Sequence, residues 1–246
     1  MDEAEVNKIR LNEVSRIEIA VPCSHKNISY WPIFKKMLQS TKLDRVTVTF
    51  EKMDLSRRTE VLELIRKSKT VTDIDLIGVR KADTCILDLF SIKQLRKIRI
   101  CGTQTTEDDL TKFENAILQF IQREEFLSVE LYCSELDTGY DVLKHVFNSL
   151  MEKTTFARHI QLAEFTTSVE VKAELVEYIT PFGGTYSKEG KEETYVFQHK
   201  NHPEKSVKVL FSLNKNQGDW PDWVTVQFYL MTGADESESF CALCCC

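Results

Sequence analysis

One spacing of apolar residues recurs along the first two thirds of the chain. Apolar side chains fill the first, fourth and sixth places of a short stretch, most clearly in Leu43-Asp44-Arg45-Val46-Thr47-Val48. The same spacing returns in Val14-x-x-Ile17-x-Ile19, Val71-x-x-Ile74-x-Leu76, Leu95-x-x-Ile98-x-Ile100 and Phe126-x-x-Val129-x-Leu131. Ala157-x-x-Ile160-x-Leu162 is a sixth copy, with Ala in a place that large side chains fill elsewhere. Within each copy apolar and polar residues alternate, as in Lys97-Ile98-Arg99-Ile100. Period two predicts a strand with its aliphatic side inward and its polar side outward.

Between the copies the apolar period lengthens to three and four residues, which predicts helices. Trp31–Thr41 starts near Pro32 and carries Ile33, Phe34, Met37 and Leu38. Ser56 is placed to cap a helix bearing Val61, Leu62, Leu64 and Ile65. Ala82–Lys93 is a shorter helix with Ile86, Leu89 and Phe90. Thr106 with Asp109 opens a helix carrying Leu110, Phe113, Ile117, Phe120 and Ile121. Leu143, Val146, Phe147 and Leu150 follow Thr138; Val171, Leu175, Val176 and Ile179 follow Thr167. Pro181-Phe182-Gly183-Gly184 ends the rhythm. Thr194–His199 and Val207–Ser212 then read as a hairpin, and Trp223–Leu230 as a third strand.

The fourth places of the copies fall at residues 17, 46, 74, 98, 129 and 160, so the intervals are 29, 28, 24, 31 and 31. A strand and a helix in each such period is the signature of stacked repeats. The expected fold is α/β: a leucine-rich-repeat-like solenoid of about six strand–helix units, with a concave parallel sheet, convex helices and a C-terminal β cap. The expected divisions are a lead-in at 1–13, the solenoid at 14–180, the cap at 181–232 and a flexible Cys-rich tail at 233–246.

In such a solenoid the polar alternates form the concave, partner-binding face. Glu18, Arg45, Thr47, Asp75, Arg99, Glu130, Tyr132 and Gln161 are the expected contacts, with Tyr132 and Ile77 as anchors. Asp73 and Asp75 should face Lys97 and Arg99 across neighbouring strands, and each opposite-charge pair is worth about 0.2–1 kcal/mol. These basic partners favour charged carboxylates, whereas an acid catalyst needs one that holds its proton. A glycosidase-type pair is therefore not the reading.

Other chemistry finds little support. His199-x-x-His202 straddles the hairpin turn, but no further ligand stands at zinc spacing beside it. Cys23-Ser24-His25 lies in a loop, where sequence neighbours rarely reach nucleophile–base geometry. His145 reads as a helix-boundary residue. No phosphate-loop motif occurs, and a net charge of −6 argues against a nucleic-acid partner. No cofactor, metal or enzymatic activity is expected, and the chain is expected to be a monomer.

The N-terminus lacks a secretory pattern and no long apolar run is present, so an intracellular location, cytoplasmic or nuclear, is expected. The eight cysteines then read as free thiols. Four of them, Cys241, Cys244, Cys245 and Cys246, crowd the last six residues. S-acylation there would make a membrane-associated adaptor, since two or more lipid signals give stable anchoring. Asp235, Glu236 and Glu238 oppose an anionic surface.

The repeated spacing over residues 14–180 resembles the leucine-rich-repeat class, nearest to the ribonuclease-inhibitor-like type. Its irregular periods, Ile-, Val- and Phe-rich helices and β cap resemble the F-box-associated regions of nematode F-box proteins. That resemblance implies a non-catalytic protein–protein interaction module that recognises substrates for a ubiquitin ligase. Residues 1–13 are too short to hold an F-box. The Asn or Cys expected just past the sixth place is met only by scattered residues such as Cys101 and Cys133.

Overall fold

A computed structural model describes residues 15–20, 36–38, 43–50, 53, 55–79, 84–102, 107–132, 138–156, 160–214 and 222–232. The fold is mixed α/β, with ten strands among the described residues. The chain divides into two compact units, residues 1–116 and 117–246.

In the first unit four parallel strands lie side by side: β1 (Arg16–Ala20), β2 (Arg45–Thr49), β3 (Asp73–Ile77) and β4 (Lys97–Cys101). Ile17, Val46, Ile74 and Ile98 occupy one row across them, so the spacing read from the sequence is also the pairing register. The entry to each strand is built the same way. The carbonyls of Ser15, Asp44 and Thr72 each accept two N–H groups from the next strand's first residues, at 2.8–3.1 Å. Helices α1 (Leu55–Lys67) and α2 (Thr84–Leu89) lie between strands and pack on each other. Val61, Leu62 and Ile65 of α1 and Ile86 and Leu89 of α2 are buried with the aliphatic face of the strands. Ser56 lies inside the first turn of α1, which starts one residue earlier, and is not its cap.

The second unit opens within α3 (Glu107–Ile121) and continues with β5 (Ser128–Tyr132), α4 (Tyr140–Glu152), β6 (Gln161–Thr167) and α5 (Val169–Ile179). After a 3-10 turn at Thr180–Phe182 come β7 (Thr185–Glu189), β8 (Glu192–Gln198), β9 (Lys205–Asn214) and β10 (Trp223–Thr232). The strand order is β5-β6-β10-β9-β8-β7. Only β5 and β6 are parallel here; β10 pairs antiparallel with β6, and each later pairing is antiparallel too. The last strand of the chain thus sits beside β6, and the β7–β8 hairpin lies at the far edge.

Helices α4 and α5 cover the apolar side of β9 and β10. Phe147 of α4 meets Phe182 and Phe197 edge-on, each with ring centroids 5.1 Å apart, a favoured aromatic geometry. A Cβ on Gly184 would come within 2.5 Å of the Phe197 ring, so only glycine lets the chain pass there. Ser168 caps α5, its hydroxyl accepting from Val171 N–H at 3.2 Å. Thr167, just before it, is the end of β6, and its hydroxyl donates to the Thr138 carbonyl at 2.8 Å.

The sixth copy is displaced from its expected place. Val129 pairs with Ala163 and Leu131 with Phe165, so Ala163 and Phe165 face the core in place of Ile160 and Leu162. The reason lies in β10: Val226 and Phe228 pair with Phe165 and Ala163 and share their buried side. Among the described residues no helix is long and apolar enough to cross a membrane.

Candidate functional site

The polar alternates of the strands form a candidate face within each unit. In the first unit one row runs Arg16, Arg45, Asp73, Lys97 and the next Glu18, Thr47, Asp75, Arg99. The acidic β3 therefore sits against basic β4, as its sequence predicts. Arg99 Nη1 stands 4.0 Å from Asp75 Oδ2, and the Arg99 side chain is exposed. Glu18 and Arg45 are also exposed. Thr47 is 5% exposed and offers a partner almost no area. Its short side chain lies in a row between the longer Glu18 and Asp75.

In the second unit Glu130 and Tyr132 project from the same side of β5, and the Tyr132 hydroxyl donates to Glu130 Oε2 at 3.3 Å. Gln161 does not join them. It lies on the core side of β6 with Ala163, Phe165 and Thr167, and is 1% exposed. Displacement of the sixth copy puts Leu162, Glu164 and Thr166 on the polar face instead.

Strand pairing then assembles a row that the sequence did not announce. Glu130 pairs with Glu164, Glu164 with Gln227, and Gln227 with Leu210. Gln227 Nε2 donates to Glu164 Oε2 at 2.8 Å, and the Tyr229 hydroxyl donates to Gln227 Oε1 at 2.8 Å. Lys208 pairs with Tyr229, its ammonium 5.8 Å from the ring centre. Glu164 and Lys208 are both only 6% exposed. Burial pushes the Lys208 ammonium below the ordinary lysine value, and the charge of Glu192 partly restores it. Glu164, like Thr47, offers a partner little area of its own but holds Gln227, and the half-buried Glu130, Tyr132, Gln227 and Tyr229 present acceptors and phenol edges in fixed positions, a surface suited to a donor-rich partner. A signal for Gln227 and Tyr229 exists in the alternation of β10, but nothing in the sequence places that strand beside Glu164.

The histidine pair has a structural role. His199 is buried, Nδ1 accepts from Asn201 N–H at 3.2 Å, and Nε2 therefore carries the proton it donates to the Leu150 carbonyl at 3.0 Å. Both ring nitrogens are occupied, which leaves no lone pair for a metal. Phe156 meets both His199 and His202 edge-on, and the Lys205 ammonium lies 3.2 Å from its ring centre. His145 is exposed on α4. Cys101 is half-buried and in no disulfide. Cys23, His25, Cys241, Cys244, Cys245 and Cys246 lie outside the described residues.

A scan against protein-family models finds no match, and a search of curated proteins finds none either.

Proposed function

We propose that this chain is a non-catalytic protein-interaction module that holds a protein partner on the polar face of its strands. The observation that carries the reading is the bonded row Glu164–Gln227–Tyr229, flanked by Glu130 and Tyr132. Side chains already fixed by hydrogen bonds lose little freedom when a partner docks, so more of the contact energy becomes affinity. Asp75 and Arg99 give the first unit a charged counterpart with an arginine suited to a central contact. The strand–helix periods support the finer proposal that these are leucine-rich-repeat-like units of a solenoid. The resemblance to F-box-associated regions adds substrate recognition for a ubiquitin ligase as the role.

Proximity labelling with the full-length chain, compared with Arg99→Glu and Glu130→Arg, tests the face. Both changes are on half-buried or exposed side chains and should leave the thermal midpoint within a few degrees. At least one should cut recovery of the main partners about tenfold or more, since a lost interfacial charge pair costs roughly 2–5 kcal/mol. Unchanged partners with both folded variants would remove this face from the proposal.

A further inference from the structure

The β7 edge has the register of a strand built to pair with itself. Among the described residues β7 is the last strand of its sheet, and all five of its residues are exposed. Tyr186 is 54% exposed, among the most exposed large apolar side chains of the described residues. Its inner neighbour β8 joins it through a two-residue turn, Gly190-Lys191, with Gly190 at φ +58°. Glycine at the first turn position gives the twist that a tight hairpin requires.

That turn fixes which backbone groups point outward. In a two-residue hairpin the closing pair, Glu189 and Glu192, exchanges both hydrogen bonds, and bonded pairs then alternate along the strands. Ser187 and Thr185 therefore also bond inward to β8. The odd-numbered residues of β8 point the other way, toward β9. The same phase appears just beyond its ends, where Leu213 N–H reaches the Lys191 carbonyl and His199 N–H the Lys205 carbonyl. What β7 offers at the edge are the N–H and C=O groups of Tyr186 and Lys188.

We propose that this edge is a homodimer interface, with β7 of a second copy pairing antiparallel about a twofold axis at Ser187. In that register Tyr186 faces Lys188 of the other copy and Lys188 faces its Tyr186. Both pairs are of the bonded type, so all four outward groups on each strand find partners. Shifting the axis to Lys188 would set two ammonium groups against each other, and shifting it to Tyr186 would pair Lys188 with Gly184. The chosen register separates the lysines and sets each beside a phenol ring, a cation–π arrangement. Lys188 is also held by Glu193, its Nζ 3.0 Å from Oε1; that carboxylate is shared with Lys172, 2.7 Å from Oε2, so it offsets only part of the charge that ordinarily keeps edge strands apart. Short strands give a small contact, so the dimer is weak and concentration-dependent.

Sedimentation equilibrium of the intact chain should show the average mass rising from 28.5 kDa toward twice that value as concentration increases from micromolar toward millimolar. Lys188→Pro removes an outward N–H and leaves the inward bonds of Ser187 and Glu189, so the fold should survive. Its dissociation constant should rise at least tenfold. Ser187→Cys provides the register: Ser187 faces its own copy in a non-bonded pair, where Cα atoms approach to about 4.5 Å and a disulfide can close. Under mild oxidation the 187–187 cross-linked peptide should be abundant by mass spectrometry, whereas Glu189→Cys should give little of its own. A wild-type chain that stays monomeric throughout, or equal cross-linking from the two cysteine variants, overturns the proposal. So does an unchanged dimer in folded Lys188→Pro, which would place self-association elsewhere.

Discussion

Lys153 shows how one side chain can close a helix. It follows the last residue of α4, is 2% exposed, and donates its ammonium to the Ile121 and Arg123 carbonyls at the end of α3. The Phe126 ring lies 5.1 Å below it. Both carbonyls lie at or just past the helix end, where the negative end of the helix dipole suits a cation, and the Arg123 carbonyl also accepts the Phe126 N–H at 3.3 Å. Burial works against the charge and pushes Lys153 down to about 7. Removing the side chain with Lys153→Ala takes the donor from the buried Ile121 carbonyl, leaves the Arg123 carbonyl with Phe126 N–H alone, and opens a cavity, for an expected loss of about 2–4 kcal/mol. The pH dependence has a definite sign. The folded value lies below that of the unfolded chain, about 10.4, so between them unfolding takes up a proton. Stability from this group is fully present above about 10.4 and is lost as pH falls to about 7. Urea titrations from pH 6 to 10 should show wild type gaining on Lys153→Met above pH 7, by up to ~1.4 kcal/mol per pH unit. Parallel curves for the two would mean that Lys153 titrates normally. His199 adds a separate acid-side loss, because burial holds its imidazole below the ordinary value.

At the scale of an element, β6 decides where the sequence pattern stops being a guide. In β1 to β4 each strand has parallel neighbours built on the same template, and the template's register is the observed one. β6 has β5 on one side and antiparallel β10 on the other. Its orientation must place Ala163 and Phe165 on the buried side with Phe228 and Val226. The six-residue template fits Ile160 and Leu162 equally well on paper, since both frames put apolar residues at alternate places. A constraint from β10, more than 60 residues away, is invisible to a local pattern. The displacement has a measurable consequence at Gln161. Its amide oxygen and nitrogen are buried with no hydrogen-bond partner among the described residues, beside Leu230 in the pairing. An unmet buried amide costs about 1–3 kcal/mol, so Gln161→Leu should stabilise the fold by roughly 1 kcal/mol once packing differences are allowed for. On an outward-facing Gln161 the same change would move the urea midpoint little. A destabilised Gln161→Leu would contradict the buried, unpartnered amide.

Across the whole chain, the candidate site was half legible for the same reason. Asp75 opposite Arg99 and Glu130 beside Tyr132 follow from one strand or from strands of like template. Glu164, Gln227, Tyr229 and Lys208 needed the pairing of β6, β10 and β9, which only the folded chain supplies. That pairing also sets how stability is distributed in residues 117–246. β10 is bonded on both sides, to β6 over Val224–Leu230 and to β9 over Trp223–Thr232. Its Val224, Val226, Phe228 and Leu230 are buried, so its amides open only when the unit's core comes apart. β7 is bonded on one side, and Tyr186 and Lys188 direct their N–H groups away from it. Native-state amide exchange in dilute protein should therefore be slowest along β10 and the middle of β9. It should be fastest, among strand residues of this unit, at Tyr186 and Lys188. Ser187 and Glu189, on the same strand but bonded to β8, should exchange more slowly than their two neighbours. This alternation separates backbone phase from general mobility of the edge, because mobility would speed all five residues alike. Uniform exchange along β7, or protection at Tyr186 and Lys188 equal to that of β10 in a monomeric sample, would mean that these two amides do not face outward.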